Sequence, residues 1–159
     1  MKYLDDIAIG DTETIGSYRF SAEEIVDFAR RFDPQPFHLS EEGARNSLFG
    51  RLCASGWHTA AVWMKLMVAH FERETRAALA RGDDLVTVGP SPGFDDMRWL
   101  KPVYVDDTIT YKNEVIEARP SASRPGWGVL RSRNQGFNQH GELVFEFIGT
   151  VMWPTRPKA

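Results

Sequence analysis

The stretch from Asp33 to His38 is the part of this 159-residue sequence whose side-chain types and spacing most favour chemistry. A carboxylate and an imidazole lie five residues apart, and Pro34 and Pro36 restrict the backbone between them. Two such groups, held in a stiff loop between apolar neighbours, could act on one water molecule, with the histidine as base or acid and the aspartate as its partner. The alternative is structural: Asp33 satisfies nearby backbone groups and His38 either caps the following helix or only satisfies a hydrogen bond, because Asp-Pro turns are common. The spacing alone leaves both interpretations open.

A second candidate feature is Ser55-Gly56, which directly precedes a long apolar segment. The first N–H groups of a helix have no carbonyl partner within it, so the Gly56 amide could stabilise an oxyanion that develops on a substrate carbonyl. Glycine would also leave room for a substrate to approach the backbone. The simpler interpretation is that Ser55 is only a helix N-cap, and the motif by itself favours this one.

The elements around the Asp33 to His38 stretch follow from local signals. After a strand at about residues 14–20, the capping-box pattern Ser21-Ala22-Glu23-Glu24 predicts the start of a helix. Pro34 ends that helix, because proline disfavours helical geometry in the residue before it, and this places Asp33 just past the helix end. A second, short helix is expected to start at Ser40.

The segment from Trp57 to about Arg81 predicts a long helix that ends at Gly82. Its first half is apolar nearly all round, so we expect most of it to be buried. Strands are expected at residues 93–100, 108–118, 126–137 and 143–153, with a hairpin turn between the last two. The fold class is therefore α+β, with a curved antiparallel β-sheet wrapped around a long central α-helix. The last strand is apolar on both faces, and its second face would suit dimer contacts.

The bulk composition is that of one soluble globular domain spanning residues 1–159, with 42% hydrophobic and 26% charged residues. The net charge of -3 is spread along the chain, so nucleic acid is not an expected partner. Acidic residues near the N-terminus and the absence of a long apolar run predict a cytoplasmic protein without a membrane span. The single cysteine, Cys53, excludes an intramolecular disulfide, and no metal-binding or nucleotide-binding motif is present.

Three segments together resemble the MaoC-like hydratase/dehydratase family over about residues 9–153. Asp33-Pro34-Gln35-Pro36-Phe37-His38 is similar to the family's Asp-x-x-x-x-His motif, and Ala54-Ser55-Gly56-Trp57-His58-Thr59 is similar to its helix-start motif. The segment from Arg98 to Thr108 resembles its strand-turn-strand region. The commoner form of the family has Asn at the position of Gln35 and often His at the position of Ser55.

The resemblance implies a hot-dog fold, a homodimer or higher homo-oligomer, and hydration or dehydration of a 2-enoyl or 3-hydroxyacyl thioester. The thioester would be one of coenzyme A or acyl carrier protein, the product the (R)-3-hydroxyacyl form, and no further cofactor or metal is implied. The family's catalytic pair corresponds to Asp33 and His38, its oxyanion-side glycine to Gly56, and a supporting position to Ser55.

Several alternatives remain beside this interpretation. A hot-dog thioesterase would use an acidic residue on the central helix, which has no Asp or Glu before Glu72. A non-catalytic acyl-thioester-binding subunit would have no need for an intact Asp and His pair. Cys53 lacks the Gly-x-Ser-x-Gly context of a nucleophile, and its position favours packing. Three cations could meet the phosphates of coenzyme A, although two of them alternate as on a solvated strand face: Lys101, Arg131 and Arg133.

Overall fold

The elements of the chain follow the predicted order, and the computed structural model describes them over residues 2–157. The helices are α1 (Ala22–Phe32), α2 (Pro36–Leu39), α3 (Glu41–Arg45) and α4 (Gly56–Arg81), with a short 3-10 turn at Leu4–Asp6. The strands are β1 (Thr12–Arg19), β2 (Gly93–Trp99), β3 (Thr108–Pro120), β4 (Trp127–Phe137) and β5 (Leu143–Pro154). The predicted strands and the predicted long helix are confirmed to within two residues at each end.

The five strands form one antiparallel sheet in the order β1-β3-β4-β5-β2. The core lies between this sheet and α4, where Ile15, Ile109 and Phe145 from the sheet share one buried apolar cluster with Val62 of the helix. The buried hydroxyl of Tyr111 on β3 donates a hydrogen bond to the backbone of α4 and so ties the two layers together. A sheet wrapped around one long helix is the hot-dog fold, and the expectation drawn from the sequence is confirmed.

Helix α1 starts and ends where its local signals predict. The Ser21 hydroxyl accepts a hydrogen bond from the backbone N–H of Glu24, and the Glu24 carboxylate accepts one from Ser21 in return. Asp33 is the C-cap residue, and its N–H donates to the carbonyl of Ala29. The helix therefore delivers Asp33 to a defined position at its carboxyl end.

The stiff loop expected between Asp33 and His38 is in part a helix, and this is a correction. Residues Pro36–Leu39 form α2, with proline in its first turn, where the missing N–H costs nothing and the fixed φ angle suits a helix. Ser40 then caps α3, as predicted, by accepting a hydrogen bond from the N–H of Gly43.

Helix α4 begins after its N-cap Ser55 and ends at Gly82, which takes the left-handed conformation at φ +76°. The prediction that most of its first half is buried is wrong, because the sheet covers only one side of the helix. Trp57, Met64 and Val68 on the other side are each about half exposed. Within residues 2–157, no helix combines the length and apolar character that a membrane span requires.

Candidate active site

Asp33 and His38 face each other at the junction of α1 and α2. Oδ2 of Asp33 lies 3.5 Å from Nε2 of His38, and the two side chains retain 18% and 7% of their exposure. The two ends of the motif therefore converge, as the sequence predicts. Both groups are therefore mostly withdrawn from solvent but not sealed from it.

The ring of His38 is oriented by the backbone of Cys53. Nδ1 lies 2.7 Å from the Cys53 carbonyl oxygen, and a carbonyl only accepts hydrogen bonds, so Nδ1 carries the proton. In the neutral ring Nε2 is then an unprotonated acceptor that points toward Asp33. Phe37 packs edge-on against the imidazole at 4.5 Å between ring centroids. The alternative in which His38 caps the next helix does not hold, since Ser40 provides that cap.

Two side chains hold the carboxylate of Asp33. The Ser55 hydroxyl donates to Oδ2 at 2.7 Å, and the Gln35 amide donates to Oδ1 at 2.8 Å. Burial by itself raises the pKa of Asp33, but these hydrogen bonds and the nearby His38 outweigh it and lower the pKa below its usual value. The site therefore presents an ionised carboxylate beside Nε2 of His38. Both are proton acceptors, and one water molecule can donate to both of them.

Ser55 joins the two motifs that the sequence analysis treated separately. Its hydroxyl accepts a hydrogen bond from the Trp57 N–H at 3.2 Å, which makes it the N-cap of α4, and it donates to Asp33 at the same time. The capping role and the site role are therefore filled by one group. Gly56 is the first residue of α4, where the backbone N–H has no carbonyl partner within the helix. This amide lies one residue from the contact with Asp33.

The space beside Gly56 is occupied by the indole of Trp99 at the end of β2. A Cβ atom at position 56 would lie 2.5 Å from Cε2 and 2.6 Å from Nε1 of Trp99. The expectation that this glycine leaves room for a substrate is wrong for that side of the residue. Sequence reasoning placed Trp99 only within a strand, and no local signal links it to a helix start 43 residues away.

Cys53 contributes its carbonyl group to the site and keeps its thiol buried. The side chain is 1% exposed, and burial raises the pKa of the thiol to about 11. Its sulfur lies 3.7 Å from Nδ1 of His38, but that nitrogen is already committed to the Cys53 carbonyl. The thiol is therefore poorly placed to act as a nucleophile, which agrees with the packing role favoured by the sequence.

The candidate phosphate-binding cations do not gather at the site. Arg131 and Arg133 alternate with buried residues along β4, so they lie on the face of the sheet that points away from α4. Arg131 pairs with Asp95 on β2 and with Glu117 on β3, and Arg133 pairs with Glu114 on β3. Lys101 pairs with Glu142 and lines a cleft of about 400 Å³ whose walls include neither Asp33 nor His38. No three His, Cys, Asp or Glu side chains within residues 2–157 are grouped as a metal site.

Comparisons with known proteins agree with these features. Residues 10–125 match the family described as MaoC like domain. Uncharacterized protein YdeM from Bacillus subtilis (strain 168) is 32% identical over 143 residues, which covers 90% of this chain and 92% of that protein. The 3-hydroxybutyryl-CoA dehydratase of Methylorubrum extorquens is 27% identical over 127 residues, or 77% of this chain and 69% of that enzyme. The crystal structure of the MaoC-like dehydratase from Rhodospirillum rubrum has a TM-score of 0.81 and 35% identity, and the match covers 99% of this chain and 100% of that one.

Proposed function

The chain belongs to the MaoC-like domain family, and we propose that it is an enoyl-thioester hydratase or 3-hydroxyacyl-thioester dehydratase. The substrate would be a thioester of coenzyme A or acyl carrier protein, and the reaction needs no further cofactor. The observation that carries the proposal is the 3.5 Å approach of Asp33 to His38, with Asp33 joined through Ser55 to the first turn of α4. The names of related dehydratases support the same reaction class.

In the proposed mechanism, a water molecule donates hydrogen bonds to Asp33 and to Nε2 of His38. One proton passes to this pair while the water oxygen forms a bond to C3 of the enoyl thioester. The electrons of the C2–C3 double bond move toward the thioester carbonyl, and the resulting enolate oxygen is stabilised by the N–H of Gly56. The enolate then takes the proton back at C2, which regenerates the pair. Since one pair serves both carbons, the addition is syn, and by analogy with the family we expect the (R)-3-hydroxyacyl product.

Ser55 and Gln35 support the pair without reacting themselves. Their hydrogen bonds keep the Asp33 carboxylate ionised and fix the plane in which its oxygens lie. Gln35 replaces the commoner Asn of the family, and its longer side chain still reaches Oδ1 at 2.8 Å. The substitution is therefore compatible with the proposed chemistry.

The first experiment is incubation with crotonyl-CoA while the enoyl absorbance and free thiol are followed. A hydratase removes the enoyl absorbance without releasing thiol, a thioesterase releases thiol, and a binding subunit does neither. We expect Asp33→Asn and His38→Ala each to lower kcat by about 10²- to 10⁴-fold. The matched control is His140→Ala in the exposed turn before β5, which should retain activity. A folded Asp33 or His38 variant with near wild-type turnover would refute the assignment.

We further propose that the protein works as a homodimer. Exposed apolar side chains lie on two elements. On α4 they are Trp57, Met64 and Val68, and on or directly after β2 they are Phe94 and Leu100. Within the described residues 2–157, strand β2 is an edge strand that is hydrogen-bonded to β5 on one side and to no strand on the other. An open strand edge next to an apolar helix face suits a second copy of this chain, in which the same edge and face are self-complementary.

Sedimentation velocity tests the dimer. We expect the wild-type protein to sediment as a dimer and Met64→Glu to shift it toward the monomer, because a carboxylate would be buried in the apolar contact. Leu79→Glu is the matched control, since Leu79 is similarly exposed near the other end of α4. A monomeric wild-type protein, or equal effects of the two substitutions, would contradict the proposal.

A further inference from the structure

Trp99 makes a specific contact with the residue that carries the proposed oxyanion amide. Its indole N–H donates a hydrogen bond to the carbonyl of Gly56 at 2.8 Å, and the ring lies against the Gly56 Cα. The same carbonyl accepts a second hydrogen bond from the Thr59 hydroxyl at 2.8 Å. Gly56 is thus held from outside the helix and from within it.

Such external support matters because glycine has few conformational restraints of its own. In the first turn of a helix the backbone N–H groups are not held by intrahelical hydrogen bonds, so thermal motion there is less restrained than in the helix interior. Stabilisation of an oxyanion depends on a donor that is already oriented before the charge develops. A contact that immobilises Gly56 therefore improves the electrostatic pre-organisation of its amide.

The sheet is locally distorted where it presents Trp99. The pairing register of β2 with β5 shifts between Asp95 and Arg98, and Asp96 adopts a positive φ of 53°. Such bulges change the direction of the side chains that follow them. Trp57 packs edge-on against the indole at 5.2 Å between centroids and supports it from the helix side. The ring remains 43% exposed, so one part of it borders the space outside the helix start.

We propose that Trp99 is a positioning residue, which fixes Gly56 so that its amide is oriented toward the thioester carbonyl. This inference rests on the proposed hydratase function. The same contact explains why residue 56 is glycine, because the indole of Trp99 fills the space that a side chain at position 56 would need. Trp99 acts through Gly56 and takes no part in proton transfer.

The test is Trp99→Phe, which keeps an aromatic ring and removes the indole donor. Its matched control is Trp153→Phe, because Trp153 also donates an indole hydrogen bond to a backbone carbonyl, that of Lys2, in a separate core cluster. We expect both variants to lose thermal stability to a similar degree. Only Trp99→Phe should lower kcat for crotonyl-CoA, by about 10-fold, with little change in KM, because a misoriented donor weakens the transition state more than substrate binding.

A spectroscopic measurement separates positioning from a general structural effect. The absorption band of a bound dienoyl-CoA moves to longer wavelength when its carbonyl is polarised, and this displacement should be smaller in Trp99→Phe than in Trp153→Phe. If the wild-type protein is active but Trp99→Phe and Trp153→Phe have the same kcat and the same displacement of this band, the inference about Trp99 is overturned and the proposed function stands. A wild-type protein that hydrates no enoyl thioester would overturn the proposed function and this inference with it.

A double-mutant cycle tests the contact itself without any activity measurement. Gly56→Ala should lower Tm strongly in the wild-type background, because the new Cβ would lie 2.5 Å from the indole. In a Trp99→Ala background the collision is removed, and the same substitution should cost much less. An equal cost in both backgrounds would mean that Trp99 does not determine the need for glycine, and would overturn the inference.

Discussion

His58 makes the stability of this protein depend on pH between about 4 and 6.5. Its ring is buried between two aromatic rings, stacked on Phe28 at 4.6 Å and edge-on to Phe20 at 5.0 Å. Among residues 2–157, its Nδ1 atom has no hydrogen-bond partner. Burial lowers the pKa of His58 from 6.5 to about 4, and the nearby Lys65 adds to this, whereas Glu24 opposes it. The native state therefore holds this histidine neutral.

The size of the effect follows from this difference in pKa. In the unfolded chain the imidazole binds a proton as the pH falls through about 6.5, whereas the native state resists protonation until about pH 4. The unfolded state thus gains protons first, and the free energy of unfolding decreases across that window. The full contribution is present above about pH 6.5, and about 3 kcal/mol is lost by pH 4. Asp33 and Glu24, whose pKa values are lowered, contribute their own losses only at the acidic end of this range.

Urea unfolding measured between pH 4.5 and pH 8 tests the prediction, with His58→Phe as the comparison. Phenylalanine keeps a flat ring between Phe28 and Phe20 but cannot be protonated. We expect the free energy of unfolding to fall more steeply with decreasing pH in the wild type than in the variant, by about 1 kcal/mol per pH unit between pH 6 and pH 4.5. Parallel curves for the two proteins would refute the assignment to His58.

Three further predictions concern the core and the site. Tyr111→Phe removes the buried hydroxyl that donates to the Thr59 carbonyl, and should cost about 1 kcal/mol in urea unfolding; no loss would show that the bond contributes nothing. Gln35→Met removes a donor to Asp33 and so should raise the pKa of that carboxyl, which moves the acidic limb of the kcat/KM profile to higher pH; an unmoved limb would contradict this. Cys53 should react with iodoacetamide at pH 8 about 100-fold more slowly in the native protein than after unfolding, because burial disfavours its thiolate. Equal rates would argue against its burial.

The sequence by itself determined the order and the ends of the main elements. Helix α1 could be predicted because Ser21 and Glu24 lie within one turn of each other and cap the helix together. The end of α4 could be predicted because glycine readily adopts the left-handed conformation that closes a helix, and Gly82 does so here. These signals depend on interactions between residues close in sequence. For the same reason, the pairing of Asp33 with His38 could be proposed as a hypothesis from a five-residue spacing.

Only the tertiary structure decided how the site is held together. The contact of Ser55 with Asp33 spans 22 residues, the contact of the Cys53 carbonyl with His38 spans 15, and that of Trp99 with Gly56 spans 43. Each depends on which elements pack together, and side-chain periodicity does not encode that choice. The half-exposed face of α4 also depends on packing between distant elements. An apolar helix face indicates that something covers it. Whether the chain's own sheet does so is decided by the curvature and extent of that sheet.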